Sequence, residues 1–74
     1  MAAPLKLPRW HDESGHVLTC REKVSVLNEN IHELSMMAQD AYEDALLMGV
    51  SKDQVKQMFI AIIDGLQNPY GDRL

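Results

Sequence analysis

The sequence predicts an all-α chain: a long helix, a tight turn and a shorter antiparallel helix, preceded by an irregular N-terminal arm. Three observations predict it. Apolar residues recur at spacings of 3 and 4 from Val24 to Met48. A second apolar stripe runs from Val55 to Leu66, and "MGVSKDQ" between them holds both a helix stop and a helix start. Residues three and four apart share one face of a helix, so both stripes are helical in period.

The arm comes first, residues 1–18. Pro4 and Pro8 and the absence of periodicity make its start flexible or extended. "DESG" (12–15) carries Asp at the first and Gly at the fourth position of a type I turn. Trp10 on one side and Val17 and Leu18 on the other suggest a small hairpin or packed loop. Two strands alone would not be stable, so this piece must lie on the helices.

"TCRE" (19–22) starts the first helix: Thr19 and Glu22 stand in the capping-box relation, each side chain able to reach the other's amide. The seam is then Val24, Leu27, Ile31, Leu34, Ala38, Ala41, Ala45 and Met48, a heptad pattern sustained for more than three repeats. Gly49 stands where a left-handed residue closes a helix. A helix over about 20–48 would be about 43 Å long. "SKDQ" (51–54) is a second capping box and opens a helix over about 52–67. Its apolar positions are Val55, Met58, Phe59, Ile62, Ile63 and Leu66, with Ile60 outside the stripe; Met48 and Met58 are core candidates. Gly65 favours fraying near its end, and Asn68–Pro69 stops it. The helical hairpin thus spans 19–68, and 69–74 form a short tail.

Folding back at Gly49–Ser51 sets Ala45 against Val55, Ala41 against Phe59, Ala38 against Ile62 and Leu34 against Leu66. Small against large at the alanines suits antiparallel packing without voids. Apolar surface is left over, because the second helix is too short to cover the first. Val24, Leu27, Ile31, Met36, Met37, Leu47 and Ile60 are therefore the expected interface. A chain of 74 residues buries about 60% of its unfolded surface, which favours help from a second copy. Homodimerisation into a four-helix bundle is the expected answer, with a monomer capped by its own arm or a hetero-complex as the alternatives.

The formal charge is −4, unevenly placed. Residues 1–23 hold Lys6, Arg9, Arg21 and Lys23 against three acids, whereas no Lys or Arg occurs between Val24 and Met48. An acidic surface repels phosphate and anionic lipid, so neither nucleic acid nor a membrane is the expected partner. A protein with a basic or apolar surface is. The longest apolar runs fall far short of the roughly 20 residues of a membrane span, and one cysteine, Cys20, excludes an internal disulfide and suits a reducing compartment. A cytoplasmic location follows as the expectation.

Ala45-x-x-x-Gly49-Val50, with Val55 and Met58 beyond it, resembles the helix-turn-helix pattern over about 14 residues. That resemblance implies a DNA-binding regulator with Lys52, Gln54, Lys56 and Gln57 reading the groove. Asp53, Glu43 and Asp44 beside them oppose it, because phosphate neutralisation needs cations. His11, His16 and Cys20 are metal-ligand types, but a structural zinc site needs a fourth ligand and no paired motif is present; a redox role for Cys20 lacks a resolving cysteine. Asp40, Glu43 and Asp44, like Glu29 and Glu33, face solvent rather than a dry cleft, so general acid–base work is not expected of them. The chain reads as a non-catalytic adaptor or regulator without a cofactor, acting by helix–helix contact.

Overall fold

The computed structural model describes residues 5–71, in which two α-helices and no strand form: α1 (Arg21–Leu47) and α2 (Lys52–Asp64). The outer ends of the expected arm (1–4) and tail (72–74) lie outside the described residues. The chain divides into two compact units, Met1–Asp40 and Ala41–Leu74, and the division falls within α1.

In the first unit, Asp12 organises the turn. Its Oδ1 accepts from the amides of Ser14 and His16, both at 2.9 Å, and its carbonyl accepts from the Gly15 amide at 3.0 Å. Gly15 takes φ +89, the left-handed residue that follows a type I turn in a three-residue hairpin loop. The two sides are joined by an isolated antiparallel bridge between His11 and Val17 and by the Leu18 amide donating to the Trp10 carbonyl at 2.8 Å. So short a ribbon needs an external anchor. The indole Nε1 of Trp10 supplies one, donating to Oδ1 of Asn28 on α1 at 2.7 Å.

This pairing moves the start of α1. Val17 and Leu18 are held extended, and Thr19 and Cys20 are used in leaving the hairpin. The helix begins at Arg21, with the Val24 amide donating to the Cys20 carbonyl at 3.0 Å. The expected capping box fails here, since no hydrogen bond joins Thr19 to Glu22.

The protected face of α1 is also rotated from the expected seam. Val24, Leu27, Asn28, Ile31, Ser35, Ala38 and Gln39 in the first unit, and Tyr42 and Ala45 in the second, are half-buried, whereas Leu34, Ala41 and Met48 are exposed. The 24–31–38–45 row holds, but the row beside it is 28–35–42 instead of 34–41–48. The reason is local in each unit. Asn28 is drawn in by Trp10, and the Tyr42 ring is covered by the Lys56 ammonium, 5.5 Å from its centroid.

The second unit is built on the turn at Gly49. The Val50 amide donates to the Ala45 carbonyl at 3.0 Å and the Gly49 amide to Leu46 at 3.0 Å. These are the two bonds of a Schellman closure, and Gly49 at φ +84 is its left-handed residue. Ser51 then caps α2, its Oγ accepting from the Gln54 amide at 3.3 Å. Neither helix has a basic residue in its last turn; Asp44 lies in that of α1 and Asp64 ends α2. α2 stops at Asp64, two to three residues before the expected end. Gly65 caps it with a right-handed φ of −85, and its backbone entropy disfavours further helix. Asn68 then organises a turn, accepting from the Tyr70 amide at 2.9 Å and donating to the Gly71 carbonyl at 2.6 Å.

A Cβ added at Gly49 would meet no atom within 4 Å, so substitution there tests backbone conformation alone. Gly49→Ala is expected to lower stability by about 1–2 kcal/mol, the strain of a left-handed alanine. Urea unfolding followed by circular dichroism measures it.

Candidate interaction surface

Val55 is the one buried hydrophobic residue among those described, 9% exposed. It sits one turn into α2, after the Ser51 cap, and Ala45 of α1, in the same unit, is half-buried. Val55, Phe59 and Ile62 follow one another at helical spacing, so they share a face of α2. Protection fades along that face, with Phe59 half-buried and Ile62 61% exposed, and Leu66, past the Gly65 cap, is 74% exposed. Met58 and Ile63 flank it and are exposed as well. Met48 and Met58, expected in the core, stand in solvent instead, because neither lies on a protected row: Met48 falls past the end of α1 and Met58 beside the Val55–Phe59 line.

The expected interface residues divide between the two units. In the first, Val24, Leu27 and Ile31 are half-buried where the arm lies on α1. Pro8, Arg9, Trp10, Val17, Leu18 and Val24 line one open groove there. Leu18, Val26 and Leu27, with Glu22 and Lys23 at the rim, line another of about 490 Å³. Met36 and Met37 are exposed, and being adjacent they point about 100° apart. In the second unit Leu47 is 87% exposed beside Leu46, Met48 and Val50, an apolar knuckle around Gly49, and Ile60 is exposed on the far side of α2 from Val55.

The remaining candidates are not drawn into a site. Lys52, Gln54, Lys56 and Gln57 are all exposed, spread around the first turns of α2, with Lys56 engaged on Tyr42. Among the described residues no three His, Cys, Asp or Glu side chains come close enough to hold a metal ion. His11 Nδ1 lies 2.9 Å from the Asp12 carbonyl, His16 Nδ1 lies 3.6 Å from the Asp12 carboxylate, and Cys20 is an exposed thiol at the start of α1. Among the same residues no helix is long and apolar enough to cross a membrane.

Two contacts were beyond sequence reasoning, Trp10 to Asn28 and Lys56 to Tyr42. Each pairs a polar atom with a residue outside the expected seam, and neither leaves a trace in apolar spacing. Asn28 does carry a faint signal, standing four residues after Val24 on the same face. Asn28→Ala leaves the indole N–H of Trp10 without its partner and is expected to cost about 1 kcal/mol. It should also shift Trp10 emission to the red and speed proteolysis of the arm; unchanged emission would show that this bond does not hold the arm. No protein-family model, curated protein or solved structure matches the chain.

Proposed function

We propose that the chain is a small non-catalytic adaptor or regulator that works by helix–helix contact and acts as a homodimer. The observation that carries this reading is the uncovered end of the α2 stripe: Ile62 shares the face of Val55 yet stands in water, as does Leu66 just past the helix. Water-exposed apolar side chains of this size each forgo about 1.5–3 kcal/mol of burial, and a monomer rarely exposes so many in one row.

In this reading α1 and α2 form an antiparallel hairpin, as their short connection favours, and two hairpins close a four-helix bundle with Ile62, Ile63 and Leu66 inside. The acidic balance keeps such a dimer away from phosphate-rich partners. The helix-turn-helix alternative draws no comparable support, since Asp53 lies between its candidate readers.

Sedimentation equilibrium at micromolar concentration is expected to give about twice the 8.4 kDa chain mass, unaffected by a chelator. Ile62→Asn combined with Leu66→Asn should return it to the mass of one chain. A wild-type protein of single-chain mass would overturn the reading.

A further inference from the structure

Within the first unit, α1 carries a second apolar face that neither the arm nor the protected row uses. Val26, Leu34 and Met37, with Asn30 among them, follow at spacings of 4, 4 and 3 and so share one side of the helix. All three apolar side chains are more than half exposed, Met37 at 69%. The open groove between Leu18, Val26 and Leu27 lies at one end of this face. Beside it, about a quarter-turn around the helix, runs a line of carboxylates: Glu22, Glu29, Glu33 and Asp40. Among the described residues no Lys or Arg forms an ion pair with any of them.

We propose that this face docks an amphipathic helix from another protein, one whose apolar stripe is flanked by a row of lysines or arginines. The apolar side chains supply the contact area and the carboxylate line selects the sign of the partner's flank, which is how helix-in-groove recognition divides affinity from specificity. Met37, a flexible thioether, adapts to the partner's side chains. A second copy of this chain is a poor fit, because it has no helical row of cations to present: Lys6 and Arg9 lie in the arm, and Arg21 and Lys23 both fall in the first turn of α1. No Lys or Arg occurs between Val24 and Ser51, and α2 offers only Lys52 and Lys56, in its first five residues, with Lys56 already over Tyr42. The inference rests on the adaptor reading but uses a different surface from the proposed dimer contact, so the two fail separately.

The test uses the full chain and two labelled synthetic peptides of about 18 residues, long enough for a helix. One is built from leucines at helical spacing with lysines elsewhere, the other with glutamates in place of lysines. Fluorescence anisotropy is expected to show the lysine peptide binding at least about tenfold more tightly than the glutamate peptide. Leu34→Asn with Met37→Asn, which changes no charge, should weaken the lysine peptide by about tenfold. Ile62→Asn with Leu66→Asn should leave it unchanged, whatever that pair does to the chain's mass. Three results would overturn the proposal: equal binding of the two peptides; undiminished binding by the Leu34 and Met37 variant, meaning attraction by charge alone; or a fall in solution mass on making that variant, meaning that a second copy occupies the face. Both positions are exposed, and circular dichroism verifies that the variant keeps its helices.

Discussion

The second unit depends on the left-handed backbone of Gly49. Two hydrogen bonds, from the Val50 amide to the Ala45 carbonyl and from the Gly49 amide to the Leu46 carbonyl, close α1 only if the residue between its last turn and Val50 takes a positive φ. Once closed, the chain needs one extended residue, Ser51, to present an oxygen to the first turn of α2. Val55 is carried one turn beyond that cap and becomes the buried residue of the unit. The ordering of apolar side chains on α2 therefore follows from a backbone event, with packing coming after it.

The first unit is assembled differently. Its hairpin is too short for a sheet, and a side-chain hydrogen bond between Trp10 and Asn28 ties it to α1 alongside the groove that Val17, Leu18 and Val24 line. A bond of that kind is directional where apolar contact is not. It fixes which side of α1 the arm lies against, at the expense of the apolar row that spacing alone would have chosen. Leu34 stands in solvent, and with Val26 and Met37 it forms a face of its own.

What the sequence made legible was whatever is decided within a few residues. The stop at Gly49, the cap at Ser51 and the Asp12–Gly15 turn are each written in neighbouring residues whose preferences agree. The helix limits came within a few residues for the same reason. The rotation of α1 was not legible, because it turns on Asn28 and Tyr42, polar or amphipathic side chains that a hydrophobic period ignores. Nor was the shift of the helix start from Thr19, which follows from an extended pairing made on the other side of the hairpin. Of the residues expected to be left uncovered, Met36, Met37, Leu47 and Ile60 are exposed while Val24, Leu27 and Ile31 are half-buried, and the exposure of Ile62 and Leu66 was hidden by assuming that α1 would cover them.

The helix ends carry one more consequence. Each helix terminates on a partial negative charge, and here each last turn adds a carboxylate, Asp44 or Asp64, with no basic residue to offset it. The repulsion between an aspartate and the carbonyl end of its own helix is electrostatic and lies near the surface, where dissolved ions screen it. Ordinary ion-paired helices loosen as salt is added; these two should tighten, because the ions remove an internal conflict that the sequence leaves in place. The ionic strength of the surroundings thus becomes part of what holds α1 and α2 to their full length.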